Sequence, residues 1–169
     1  SVMIAPPAIW EQLLTRVRVR MEEADSFKRG RYLKAMAAAT EVEQLTQAGK
    51  PIPTGLALRN WLGDWLVRKP LRDLLGMAKV RLAYTGGAPL GPDSFDYIRA
   101  MGINLKQLYG MTESSSACVY QADGEANTET VGRALDVVEI KISEGGEILL
   151  RVPMVFSGSY TYEEATNET

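Results

Sequence analysis

Apolar positions recur with a helical period through the first part of the chain. Ile9, Leu13, Val17 and Met21 stand four apart, with Trp10 and Leu14 beside them. This spacing predicts an amphipathic helix opened by Pro6 and Pro7 and running to about Ala24. Tyr32, Met36, Ala39 and Val42 predict a second helix, with Ser26 as its cap and Gly49 in the C′ position. Pro51 to Gly55 reads as a linker. Leu58, Trp61, Leu62, Trp65 and Leu66 then give a third helix with a broad apolar face. That face is expected to pack on the core, in preference to lining an acyl tunnel. Pro70 starts a short helix, Leu71 to Leu75, which Gly76 stops.

After Gly76 the period changes. Val80, Leu82 and Tyr84 alternate with Arg81 and Ala83, predicting a strand over Val80 to Thr85. A helix follows Gly91-Pro92-Asp93, turns Phe95, Ile98 and Met101 inward, and ends at Gly102. Ile103 to Leu108 is the next strand. A strand–helix–strand unit of this length is expected to be parallel and right-handed. Gln121 to Thr130 is polar and aperiodic, hence a surface loop. Val137 to Ile142 and Glu147 to Val152 flank Ser143-Glu144-Gly145-Gly146 as a hairpin. The expected fold class is α/β: helices, a parallel βαβ unit and an antiparallel β-hairpin. The expected parts are a helical region (1–76), an α/β unit (77–130) and the start of a β subdomain that stops short (131–169).

Composition narrows the chemistry. Apolar residues make up 46% of the 169, enough for a core, and charged residues 24% with a net charge of −2, which gives no reason to expect nucleic acid. There is no histidine, so Ser-His-Asp or Cys-His catalysis and His-ligated metals are excluded from this chain. Cys118 is the only cysteine and reads as a small buried hydrophobe, consistent with a reducing cytoplasm. No apolar run approaches membrane-spanning length, and no signal-peptide pattern stands at the start. Arg16, Arg18, Arg20, Lys28, Arg29 and Arg31 could meet an anionic membrane surface. A solvated face balanced by Glu22, Glu23 and Asp25 is the preferred reading.

Two stretches carry candidate chemistry. Thr85-Gly86-Gly87-Ala88-Pro89-Leu90 follows the first predicted strand, and Tyr109-Gly110-Met111-Thr112-Glu113 follows the second. In open α/β sheets, ligands bind beyond the carboxyl ends of strands, so the two loops are expected to face one crevice. Gly86, Gly87 and Gly110 permit close backbone approach. Tyr109 offers a flat face for a base, Thr112 a hydroxyl for a phosphate oxygen, and Glu113 a hard carboxylate of the kind Mg²⁺ prefers. Taken singly, each has a bland structural explanation; Thr112-Glu113, for example, also suits a helix start. The glycines fit neither a Walker loop nor a dinucleotide fingerprint.

These two stretches in this order resemble the adenylate-forming, or AMP-binding, superfamily. Thr130-Val131-Gly132-Arg133-Ala134-Leu135 is similar to that family's VGxP turn. Gly146-Glu147-Ile148-Leu149-Leu150-Arg151-Val152-Pro153, with Val155-Phe156-Ser157-Gly158-Ser159-Tyr160, is similar to its GEIxxRGPxVFxGYY segment, with Val152 for the usual Gly and Ser159 for the first Tyr. Lys69-Pro70-Leu71-Arg72 through Val80-Arg81-Leu82 most resembles long-chain acyl-CoA synthetases. The resemblance is specific from about Lys69 to Tyr160.

The resemblance implies activation of a fatty-acid-type carboxylate by ATP and Mg²⁺, then transfer of the acyl group to coenzyme A. It implies that Gly87, Ala88 and Pro89 flank the adenine, with Gly86 in the same loop, and that Tyr109 stacks on the base. Thr112 would contact the α-phosphate, Glu113 would help hold Mg²⁺, and Gly110 and Met111 would border the acyl carboxyl end. Nothing here matches the family's phosphate loop, ribose-binding aspartate or C-terminal catalytic lysine. The chain is therefore expected to be a middle portion of a larger enzyme, inactive alone. A non-catalytic nucleotide-binding or scaffolding module is the rival reading.

Overall fold

The computed structural model describes residues 1–114, 116–153 and 155, with the side chain of Ser116 left aside. The motif segment Phe156 to Tyr160, the tail Thr161 to Thr169, and Ser115 lie outside the described residues. The chain forms two compact units, 1–106 and 107–169.

The first unit opens with a strand absent from the sequence reading. β1 (Val2–Ala5) pairs in parallel with β2 (Leu82–Thr85), Val2 opposite Leu82 and Ala5 opposite Thr85. Helix α1 (Pro7–Glu22) follows at once, with proline in its first turn. The buried indole of Trp10 donates from Nε1 to the Ala5 carbonyl at 3.1 Å, joining strand to helix. The buried face of α1 is Trp10, Leu13, Leu14 and Val17, whereas Ile9 of the expected stripe is exposed.

Helix α2 (Ser26–Gln47) is capped by Asp25 rather than Ser26: Asp25 Oδ1 accepts from the Lys28 amide at 2.8 Å. A carboxylate there satisfies a free amide and favours the positive end of the helix dipole. Its alanine-rich face is buried, and polar contacts fasten it to α5 (Pro92–Ala100). Glu43 pairs with Arg99 at 2.5 Å, Gln47 donates to Asp96 at 3.1 Å, and the hydroxyls of Tyr32 and Tyr97 share a hydrogen bond. Burial pushes the Tyr97 phenol up from its ordinary value.

The expected third and short helices are one nearly continuous run: α3 (Thr54–Gly63), a π-helical turn (Asp64–Arg68) and α4 (Lys69–Leu74). Pro70 has no amide to donate, and its ring would crowd the carbonyl four residues back. A widened turn just before it accommodates both demands. The broad apolar face expected to be buried is instead exposed, with Leu58 57%, Trp61 62% and Trp65 58% accessible. Leu56 and Leu71 are the positions of α3 and α4 that reach the core.

What anchors this run is cationic. Arg68 is buried and donates from Nη1 to the Ala100 carbonyl at 2.7 Å, and from Nη2 to Asn60 O at 2.8 Å and Asn60 Oδ1 at 2.7 Å. Arg72 donates to the Met101 carbonyl at 2.7 Å and grips Asp64 with two nitrogens, at 2.7 and 3.1 Å. Two guanidinium groups thus receive the C-terminal carbonyls of α5, where the helix dipole is negative. Beyond them the chain enters β3 (Leu105–Met111), and the Ala83 amide of β2 donates to Asn104 O at 3.0 Å.

The second unit is antiparallel. The later part of β3 pairs with β4 (Ser116–Tyr120), from Leu108 opposite Tyr120 to Met111 opposite Ser116, with a register shift at Tyr109/Gly110. β4 pairs with the short β5 (Arg133–Ala134). The pattern predicted neither β4 nor β5, and it ended β3 three positions early, at Leu108. The hairpin of β6 (Glu139–Ile142) and β7 (Ile148–Arg151) is as predicted, closed by Ser143 N–H to Glu147 O at 2.9 Å and Gly146 N–H to Ser143 O at 3.0 Å. Cys118, Val119, Val138 and Val152 form the core of this unit.

The loop 121–130, expected to be solvated, is organised by two buried glutamines. Gln121 Oε1 accepts from the Gln107 amide at 2.8 Å, and the Gln121 amide donates to Gln107 O at 3.1 Å. Their side-chain Nε2 atoms converge on backbone carbonyls of Asn127, Thr128 and Thr130, at 2.5 to 3.4 Å. Gly132 closes the loop with φ of 98°. A Cβ there would stand 2.5 Å from the Gln121 amide nitrogen and closer still to the Tyr120 carbonyl.

Two expectations follow. Gly132→Ala combines a left-handed backbone with a clash against main chain, and should cost more than about 2 kcal/mol in urea unfolding. Asp64 gives a pH signature. Burial alone would raise its carboxyl, but hydrogen bonding from Arg72 and the charges of Arg72, Arg68 and Lys69 outweigh it and hold the group below its usual value. Its contribution is therefore present above the unfolded carboxylate value of about 3.9 and lost as pH falls through the lower folded value. Asp64→Asn should lower the melting temperature near neutrality and flatten its decline on acidification, as followed by circular dichroism.

Candidate functional site

The first candidate loop leaves β2 at its carboxyl end. Thr85 is the last strand residue, its side chain buried, and its Oγ1 finds no hydrogen-bond partner among the described residues. Gly86 is half-buried, while Gly87, Ala88 and Pro89 are exposed. Leu90 then plunges into the core, and Gly91 caps α5. The turn needs Gly87, whose φ is 86°, and nothing among the described residues lies within 4 Å of where a Cβ would project. An open backbone turn beside an unsatisfied buried hydroxyl suits a flat polar ligand.

The second candidate stretch differs from the expected strand-then-loop. Tyr109, Gly110 and Met111 belong to β3 itself, and the turn is confined to Thr112, Glu113 and Ser114, followed by β4 after Ser115. A helix start at Thr112-Glu113, the bland alternative, is thereby overturned. The register shift at Tyr109/Gly110 is where a bulged strand re-aims its side chains.

Around the turn, side chains divide by role. Tyr109 is half-buried and packs against the Cys118–Val119 cluster, leaving only part of the ring for a ligand. Ser114 is buried and ties the turn down: its Oγ accepts from the Met111 amide at 3.3 Å and donates to the Met111 carbonyl at 3.0 Å. Cys118 Sγ lies 3.7 Å from both Ser114 Oγ and Tyr109 O. Met111 and Thr112 are exposed, and Glu113 is half-buried.

The residues present fit a nucleotide in part. Within the first unit, the open turn at Gly87 and the Thr85 hydroxyl suit a base; within the second, taken by itself, the exposed Thr112 hydroxyl suits a phosphate oxygen. For a divalent cation the second candidate stretch offers the Glu113 carboxylate, and no group of three or more carboxylate, Cys or His ligands occurs among the described residues. A single carboxylate could hold Mg²⁺ only together with substrate phosphates and water.

Gln107 and Ser114 belong to the stretch that the sequence singled out, but the fastening of the turn by Ser114 and of the neighbouring loop by Gln107 and Gln121 went unread. Their signal is faint, because a polar residue beside a strand gives no sign of being buried until its partners are placed.

Relatives supply the remaining information. Residues 1–160 match the family described as AMP-binding enzyme. The chain is 31% identical to the long-chain-fatty-acid–CoA ligase heimdall of Drosophila melanogaster, over 99% of this chain and 25% of that protein. It is also 31% identical to the long-chain-fatty-acid–CoA ligase FadD15 of Mycobacterium bovis, over 99% of this chain and 27% of that protein. Among solved structures, unliganded O-succinylbenzoate coenzyme A synthetase of Bacillus subtilis aligns with a TM-score of 0.47 at 28% identity, over 60% of this chain and 25% of that one. The chain spans about a quarter of the length of the curated relatives it matches. With a family match running through both candidate loops, this chain belongs to the AMP-binding enzyme family.

Proposed function

We propose that this chain is the adenylate-binding portion of an ATP-dependent ligase joining a long-chain fatty acid to coenzyme A. One observation carries the reading: Thr112 and Glu113 stand at the tip of the β3–β4 turn, held by Ser114, within a family match whose curated relatives include long-chain-fatty-acid–CoA ligases. The reaction breaks the bond between the α-phosphorus and the pyrophosphate as a carboxylate oxygen attacks. The thiol of coenzyme A then displaces AMP from the acyl carbon.

The chain's residues do positioning and charge work. Gly87, Ala88 and Pro89 flank the adenine, with Gly86 in the same loop. The uncovered part of Tyr109 stacks on the base, a contact worth about 1–3 kcal/mol. Thr112 donates to an α-phosphate oxygen. Gly110 and Met111 border the carboxyl end of the acyl chain. Glu113 would hold a magnesium ion, whose chemistry there is neutralisation of phosphate charge. Stacking of that size cannot by itself give millimolar affinity, which needs about −4.1 kcal/mol, so this chain alone is expected neither to bind ATP tightly nor to form an acyl-adenylate.

Two variants of the full enzyme test the reading. Glu113→Gln keeps shape and hydrogen bonding but removes charge, and should lower pyrophosphate exchange about a hundredfold at limiting magnesium. Undiminished exchange would reduce Glu113 to a turn residue. Gly87→Ala places a methyl in the open space of the turn, at a backbone strain of about 1–2 kcal/mol. It should raise KM for ATP severalfold with kcat nearly unchanged; an unaltered KM would remove adenine from that turn.

A further inference from the structure

The exposed apolar face of α3 and the π-helical turn is not an isolated anomaly. Leu58, Trp61, Leu62, Trp65 and Leu66 recur at spacings of three and four, so they form one continuous band. Trp61 and Trp65 stack with centroids 6.5 Å apart and planes 8° from parallel, and both indoles are exposed. Proteins rarely leave a contiguous aromatic and aliphatic band uncovered without an interaction to serve.

Beside this band runs a groove between α2 and the helix that faces it. It comprises two shallow hollows of about 230 and 370 Å³ that share Arg31, Leu66 and Val67. Its apolar floor includes Ala35, Leu62 and Leu71. Its charged residues are all cationic: Lys28, Arg31, Lys34 and Arg59, with no aspartate or glutamate among the lining. Lys28 is partly balanced by Asp25, 3.2 Å away on the exposed surface. Arg31 lies over the ring of Phe27, 5.6 Å from its centroid, and that ring is itself 71% exposed. Phe27, Arg31 and Lys34 share one face of α2.

We infer that this face, formed by α2 and the α3–π-turn helix, docks on an anionic lipid bilayer. Indole rings prefer the headgroup region, where an apolar body and a polar N–H are both accommodated. Basic residues beside them are drawn to anionic headgroups while their alkyl stems cover apolar surface. Four cations around an apolar groove, in a chain whose net charge is −2, complement a negative surface. The groove's charged side chains offer donors but no carboxylate acceptor, which suits phosphate headgroups. No helix among the described residues is long and apolar enough to cross a membrane, so the contact lies in the interface plane. Of the residues the sequence suggested for membrane contact, only Lys28 and Arg31 line this groove.

The test uses the full protein with sedimentable vesicles of phosphatidylcholine alone or mixed with phosphatidylglycerol. Binding should be confined to the anionic vesicles and fall as salt is raised. The double variant Lys34→Glu, Arg59→Glu should lower partitioning by about tenfold or more. Trp61→Ser with Trp65→Ser should also weaken binding, and should abolish the part of the quenching by brominated lipids that those indoles report. Both variants should keep the parent's melting temperature and circular dichroism. Equal binding to neutral vesicles, or variants that bind as the parent does, would overturn the inference. So would a loss of melting temperature in the tryptophan variant, or a dimer in sedimentation velocity that this variant dissociates. Either would mean that protein covers the face.

Discussion

The arrangement of the first unit depends on where the negative end of α5 is neutralised. A helix C-terminus leaves carbonyls without intrahelical partners, and burying them unpaired is costly. Here Arg68 and Arg72 reach the carbonyls of Ala100 and Met101, and Asp64 and Asn60 fix the two guanidinium groups from the other side. Burial lowers the Arg68 pKa from its ordinary value, opposed by the charge of Asp64. Removing one partner would strand a buried charge, which makes such a cluster a strict constraint on helix placement. The π-helical turn belongs to the same constraint: Asp64 and Arg68 are its end residues, and it accommodates Pro70 as well.

The second unit solves a different problem, that of holding an irregular loop without regular pairing. Gln107 and Gln121 replace ladder hydrogen bonds with side-chain amides that satisfy three loop carbonyls. Gly132 lets the returning chain pass against the Tyr120 backbone. Ser114 does at the β3–β4 turn what the glutamines do for the longer loop. Thr112 and Glu113 are thus presented from a fastened turn, the support that the proposed phosphate contact would require.

Helix packing explains why the band from Leu58 to Leu66 is left outside. The core contact of this region is made by Leu56, Leu71 and the two arginines, and the α2 face is lined with small alanines. Once those contacts orient the helix, its tryptophans point away from the core. The same orientation brings Arg59 beside Arg31 and Lys34, so an apolar band and a cationic rim arise together.

Local periodicity by itself determined α1, α2, α5, β2 and the β6–β7 hairpin, because each repeats on a period its own residues display. The order of the Gly-Gly-Ala-Pro and Tyr-Gly-Met-Thr-Glu stretches likewise determined the family, since such a motif depends on identity and spacing alone. Tertiary structure decided the rest. β1 is too short to announce itself and exists because Leu82–Thr85 offers it a parallel edge. β4 and β5 are short and partly polar, and owe their form to pairing with β3 and with each other. The polarity of the loop from Gln121 argued for solvent until the partners of the Gln121 side chain were in place. The exposure of Trp61 and Trp65 could not be read from a helical stripe, because amphipathic spacing shows that a face is apolar but not what meets it. Burial is a property of the neighbours, and only the folded chain supplies them.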